Sequence, residues 1–123
     1  MVTLKNPTPV LRMFDEARAR EFYVDFLGFT VNWEHRFEED FPLYLEVARD
    51  GCVLHLSEHH GDCCPGGAVR IEVGGIDGFQ KGLVASGCKY AKPGLAETPW
   101  NTREMLITDP FGNRLVFFEP IEG

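Results

Sequence analysis

The chain has 123 residues, of which 44% are hydrophobic and 25% charged, a composition typical of one globular domain rather than of a disordered segment. Acidic residues outnumber basic ones by 19 to 12, and the formal charge of −7 argues against a nucleic-acid partner, because phosphate binding needs an excess of lysine and arginine. No apolar run approaches the roughly 18 residues of a membrane span, and residues 1–7 lack the apolar core of a signal peptide. We therefore expect a cytoplasmic protein without a membrane partner.

The first half of the chain predicts a strand, a helix and three further strands. Prolines at positions 7 and 9 exclude a helix there and favour an edge strand over 9–13. Asp15 is the predicted N-cap of a helix that ends at Gly28, and its apolar stripe is predicted to consist of Ala17, Phe22, Phe26 and Leu27. Further strands are predicted over 29–34, 42–48 and 53–57, the last two joined by an Asp50-Gly51 hairpin turn.

The second half repeats this order after a polar, glycine-rich connector at 58–67. It predicts a strand over 69–73, a helix over 76–86 closed by Gly87, and strands over 103–108 and 114–119 around a turn at 109–113. We therefore predict an α+β fold, a single domain spanning 1–123. Two βαβββ modules, at about 7–58 and 67–120, form a curved mixed sheet around a ligand cleft in this prediction.

Three stretches resemble a known family, the vicinal-oxygen-chelate superfamily of glyoxalase I, bleomycin resistance proteins and extradiol dioxygenases. Residues 19–29, AREFYVDFLGF, are similar to the end of its first helix, and residues 109–117, DPFGNRLVF, to its closing hairpin. Residues 97–104, ETPWNTRE, followed by the DPxGN turn, resemble bleomycin resistance proteins in particular. The resemblance implies a glyoxalase/bleomycin-resistance-like fold.

The enzymes of this superfamily place metal ligands on four inward-facing strands. Aligning the shared motifs shows which residues of this chain occupy those four positions. The corresponding positions fall near Thr8, His55, Ala68 and Val116, of which only His55 could bind a metal. Catalytic metals generally need at least three protein ligands and an open position. We therefore expect no metal, no cofactor and no catalytic residue. The alternative is a metal-dependent lyase, isomerase or dioxygenase that uses His55 with an unrecognised ligand set.

The cysteines form no zinc-finger or CxxC spacing, and a reducing cytosol favours free thiols at Cys52, Cys63, Cys64 and Cys88. The connector also carries His59, His60 and Asp62 beside Cys63 and Cys64. This segment is interpreted as a polar surface loop, with adventitious binding of a transition metal as the alternative.

Without a metal, the resemblance implies a homodimer that sequesters bleomycin-type glycopeptides in crevices between its subunits, with the N-terminal strand exchanged between protomers. Such drugs carry a flat bithiazole and a cationic tail, for which aromatic plates and acidic side chains form a suitable site. The predicted ligand-binding residues are Trp33, Phe41, His55, Glu97, Trp100 and Arg103. The alternatives are core or interface packing for the tryptophans, a solvated turn for the acidic residues at 38–40, and a different small metabolite as the ligand.

Overall fold

The structure is a computed structural model that describes residues 1–86 and 93–121, and it confirms the α+β fold with two βαβββ modules. The first module contains β1 (Val10–Arg12), α1 (Glu16–Arg20), a π-helical segment (Glu21–Phe26), β2 (Thr30–His35), β3 (Tyr44–Arg49) and β4 (Cys52–Ser57). The second contains β5 (Ala68–Glu72), α2 (Ile76–Ala85), β6 (Ala96–Glu97), β7 (Thr102–Thr108) and β8 (Arg114–Pro120). The predicted helix stop at Gly87 and the fourth cysteine, Cys88, lie outside the described residues.

Each module builds its own four-stranded mixed sheet. The strand order is β1-β4-β3-β2 in the first sheet and β5-β8-β7-β6 in the second, with the first strand of each order parallel to its neighbour and the other pairs antiparallel. The curved mixed sheet of the prediction is therefore divided into two hydrogen-bonded sheets, and β1 is an edge strand as the prolines predict. Strand β6 was not predicted, because two residues are too short to show alternation.

The first helix departs from the predicted pattern. Asp15 caps it as expected, accepting a hydrogen bond of 3.0 Å from the Arg18 amide. The helix then widens into a π-helical segment, where the Leu27 amide donates to the Phe22 carbonyl five residues back. The buried residues of the helix, Ala19, Phe22, Tyr23 and Leu27, recur at the spacing of one helical face, and Ala17 lies off that face and is exposed. The prediction of Ala17 as a core residue is therefore wrong.

One face of each sheet packs into the common core and the other face stays open. Leu45, Leu54 and Leu56 of the first sheet and Met105, Ile107 and Leu115 of the second are almost fully buried. Because successive side chains of a strand point to opposite faces, the residues between these core positions lie on the open face of each sheet. The open faces are therefore the surfaces on which side chains of the β-strands are not covered by the common core.

Two buried hydrogen bonds join the modules. The Tyr23 hydroxyl donates to Oδ2 of Asp109 over 2.6 Å, and the Asn113 side-chain amide donates to the Arg12 carbonyl over 2.7 Å. Tyr23 and Asn113 are fully buried. Among the described residues, no helix is long and apolar enough to cross a membrane.

Candidate functional site

The open face of the first sheet includes Arg12, Trp33, Tyr44, Glu46, His55 and Ser57. The Asp50-Gly51 turn fixes the register between β3 and β4, since it pairs Arg49 with Cys52 and hence Glu46 with His55. Asp50 takes the left-handed conformation that such a turn requires, with φ of 54°. Trp33 is opposite Glu46 on the next strand, so Trp33, Glu46 and His55 form a row across three strands.

A chain of hydrogen bonds links three side chains of this face. The Tyr44 hydroxyl lies 2.5 Å from Nδ1 of His55, and Nε2 of His55 lies 2.9 Å from Oε1 of Glu46. The side-chain amide of Asn32 donates to Oε2 of Glu46 over 2.9 Å. Hydrogen bonds from Asn32 and then His55 lower the pKa of Glu46 below its ordinary value, so this carboxyl group is an anion at neutral pH.

Trp33 lies above this chain of hydrogen bonds. Its ring stacks on Tyr44 with a centroid distance of 5.8 Å and an angle of 10°, and it meets His55 edge-on at 5.3 Å. The side chain nevertheless remains 44% exposed. Trp33 is therefore not a core residue; it is an aromatic plate held in place by its neighbours on the open face.

The open face of the second sheet, formed by Arg70, Glu104, Leu106, Val116 and Phe118, is organised around Glu104. Oε2 of Glu104 accepts hydrogen bonds from the Arg70 guanidinium at 2.7 Å, the Thr102 hydroxyl at 2.7 Å and the Trp100 indole at 3.0 Å. These donors, Arg70 first, lower the pKa of Glu104 to about 2. Arg70 also lies over the Phe118 ring, 4.5 Å from its centroid. Trp100 is 63% exposed and thus forms the second aromatic plate.

The remaining predicted ligand-binding residues lie elsewhere. Arg103 and Glu97 are register partners on the other face of the second sheet, where Arg103 forms an ion pair with Asp77 of α2. Phe41 is exposed in the loop before β3, and it lines a shallow depression that contains neither tryptophan. The structure therefore brings together Trp33 and His55, and places Trp100 beside Glu104 instead of Glu97.

A crevice of about 990 Å³ between the modules is lined by residues that include Phe29, Arg49, Phe79 and Phe117. Neither tryptophan nor His55 contributes to its wall. Arg70 lines this crevice and also belongs to the open face of the second sheet, so the two surfaces meet at that residue, whereas both tryptophans lie outside the crevice.

The metal site of the superfamily's enzymes does not fit these residues. Both ring nitrogens of His55 are engaged, one by Tyr44 and one by Glu46, so a metal ion would have to displace one of them. The second-module position equivalent to His55 is Val116, with Arg70 and Leu106 as its neighbours on adjacent strands. Within residues 1–86 and 93–121, no group of three or more His, Cys, Asp or Glu side chains is placed to hold a metal ion. Cys52, Cys63 and Cys64 are free thiols.

The sequence analysis missed Tyr44, Glu46, Arg70 and Glu104. A signal for the first two was available, because the two-residue turn at Asp50-Gly51 fixes the pairing of Glu46 with His55. The contact between Arg70 and Glu104 joins residues 34 positions apart, on strands separated by β8. No local pattern in the sequence specifies that contact.

Comparison with known proteins agrees with this architecture. The bleomycin resistance protein of Geobacillus stearothermophilus is 28% identical over 128 residues, an alignment covering 94% of this chain and 96% of that protein. The solved structure of a bleomycin-binding protein from bleomycin-producing Streptomyces verticillus, complexed with copper(II)-bleomycin, superimposes with a TM-score of 0.70 at 26% identity, covering all of both chains. A glyoxalase-related enzyme from Clostridium phytofermentans shares the fold, with a TM-score of 0.75 at 22% identity over 98% of each chain.

A family model described as "Glyoxalase superfamily protein" matches residues 1–123, the whole chain. The predicted resemblance is therefore confirmed: this chain belongs to the glyoxalase superfamily.

Proposed function

We propose that this protein binds a bleomycin-type glycopeptide antibiotic as a homodimer, without a metal ligand of its own, and thereby sequesters the drug. The observation that carries the proposal is the presence of one exposed tryptophan on the open face of each sheet. Trp33 and Trp100 are both held by neighbouring side chains and both available for stacking. A flat bithiazole gains affinity from such plates through apolar burial and ring stacking.

The charges of the open faces support a cationic ligand. Glu46 and Glu104 are both carboxylates with lowered pKa values, and each lies beside a tryptophan ring. The net charge of −7 attracts cations over a longer range. A tail with positive charge would therefore find the Glu46 carboxylate beside the Trp33 ring. On the second sheet it would have to compete with Arg70, which already pairs with Glu104.

The homodimer is proposed because each tryptophan has only one wall of a binding groove around it. Each tryptophan ring has more than two-fifths of its surface exposed, and a ring that contacts a ligand on one face alone contributes little binding affinity. Exposed apolar patches of this kind are typical of association surfaces. A second copy would supply the opposite wall. Exchange of the N-terminal strand remains part of this proposal; residues 1–8, which would form the arm, are exposed.

The proposal is tested by titrating the purified, metal-stripped protein with bleomycin, following tryptophan fluorescence and then calorimetry. We expect sub-micromolar binding with about one drug per chain, and loss of affinity by about tenfold or more in Trp100→Ala and in Trp33→Ala. Val84→Ala, which truncates an exposed apolar residue on α2 outside both open faces, is the matched control for general loss of surface area. No binding up to about 100 μM would refute the proposal, because a protective binder needs far higher affinity.

One observation favours the alternative of an enzyme in the same superfamily. A histidine oriented by a carboxylate is the arrangement used for general acid–base catalysis, and His55 and Glu46 have it. A divalent metal that stays with the protein through chelator-free purification, at about one ion per chain, would support the metal-dependent form of this alternative.

A further inference from the structure

When the His55 ring is neutral, the hydrogen bonds of the first open face assign one proton to each contact. Glu46 is ionised and has no proton to donate, so the hydrogen in its 2.9 Å contact with His55 must be on Nε2. In the neutral imidazole, Nδ1 then carries a lone pair. The 2.5 Å contact between this nitrogen and Tyr44 therefore uses the hydroxyl proton of Tyr44.

Tyr44 retains that proton. Burial, followed by electrostatic interactions with Asp62, Cys63 and Glu46, raises the pKa of its phenol above the ordinary value. The phenol therefore stays neutral, and its only proton points at His55. Towards any other group, the Tyr44 oxygen can therefore act only as a hydrogen-bond acceptor.

We propose that Tyr44 is a specificity-determining residue of this site: its oxygen accepts a hydrogen bond from an N–H group in the cationic tail of the ligand, while Trp33 stacks beside it. The inference rests on the proposed function, since it assigns a part of the same ligand to a particular atom. His55 and Glu46 are positioning residues, because they hold Tyr44 in the accepting state. The site therefore selects ammonium or guanidinium groups over quaternary cations, which have no N–H.

The selectivity has a simple test with two matched probes. One is a bithiazole fragment with a primary ammonium at the end of its tail, and the other is its trimethylammonium derivative, which keeps the charge but has no N–H. The two probes carry the same charge and the same stacking group but differ in hydration, so the change in the ratio of their affinities between the wild type and Tyr44→Phe measures the hydrogen bond. Calorimetry at about pH 8, above the ordinary pKa of an imidazole, measures both affinities.

We expect the wild-type protein to bind the ammonium probe about tenfold or more tightly than the trimethylammonium probe, as a hydrogen bond to a charged donor permits. Tyr44→Phe keeps the ring that stacks on Trp33 and removes only the oxygen. In this variant the ratio falls to about one, through weaker binding of the ammonium probe alone.

The positioning role of His55 is tested with two variants. His55→Gln can still accept from Tyr44 and donate to Glu46 through its amide, so we expect most of the selectivity to remain. His55→Leu removes the acceptor of the Tyr44 hydroxyl, so that its proton is no longer held away from the ligand. We expect the ratio of the two probe affinities to fall. A merely structural role would make both variants lose affinity for both probes equally.

The tautomer of His55 gives a second readout that needs no ligand. Nitrogen-15 NMR of the wild-type protein should show a proton on Nε2 and none on Nδ1. The opposite tautomer would overturn the inference. Equal affinities for the two probes, in a protein that does bind bleomycin, would overturn it and leave the proposed function standing. Absence of binding to both probes and to bleomycin would overturn both proposals.

Discussion

The hydrogen bond between Tyr23 and Asp109 should be a major link between the two modules. Tyr23→Phe removes one hydroxyl from a fully buried position and leaves Oδ2 of Asp109, itself only 5% exposed, with the Asn113 side chain as its remaining donor. A hydrogen bond to a charged group contributes about 1.5–3 kcal/mol when its loss leaves the partner buried. We therefore expect the free energy of unfolding to fall by about 2 kcal/mol.

Urea unfolding followed by circular dichroism measures this loss, with the m-value checked for unchanged two-state behaviour. Tyr44→Phe is the matched control, because it makes the same chemical change at a partly buried position on the open face. A Tyr23→Phe variant whose free energy of unfolding lies within about 0.5 kcal/mol of the wild-type value would contradict the argument, since changes of that size are typical of ordinary surface sites.

Three further perturbations follow from single contacts. Leu45→Ala, at a position only 1% exposed in the core, should reduce the free energy of unfolding by about 2–5 kcal/mol in the same assay; a change below about 1 kcal/mol would show that the site is not packed as described. Gly28→Ala should cost about 1–2 kcal/mol, because φ is +77° there and the new methyl group would meet the Arg49 guanidinium at 3.3 Å; unchanged stability would refute this. The Glu104 pKa of about 2 lies below its ordinary value, so its contribution to stability is present above about pH 4.5 and is lost as the pH falls towards 2. Arg70→Ala should raise that pKa towards the ordinary value in a carboxyl NMR titration, and an unchanged pKa would contradict the assigned cause.

Much of the fold could be predicted from the sequence because local patterns specify it. Alternating apolar residues in β3 and the Asp50-Gly51 turn each favour one local structure strongly, and both were predicted correctly. The π-helical segment was missed because its hydrogen bonds depend on how Phe22, Tyr23 and Leu27 fit the core, which no helical periodicity encodes.

The candidate site was less predictable, because it depends on which side chains share a sheet face. Trp100 was singled out by its motif and stays a prediction as a binding residue, and its acidic neighbour is Glu104 rather than Glu97. Arg103 differs from Glu104 by a single position, and that one step places it on the opposite face, paired with Asp77. Register in the second sheet follows from the crossover of β5 to β8, which is a tertiary property.

The central claim is sequestration, and the most direct measurement is protection of DNA from bleomycin. Supercoiled plasmid is incubated with iron-activated bleomycin at a concentration well above the expected dissociation constant, and strand breaks are counted as the protein concentration increases. The account predicts that cleavage falls linearly and ends near one chain per drug, with clearly weaker protection by Trp100→Ala at the same ratio. Undiminished cleavage at about a tenfold excess of folded wild-type protein would contradict it.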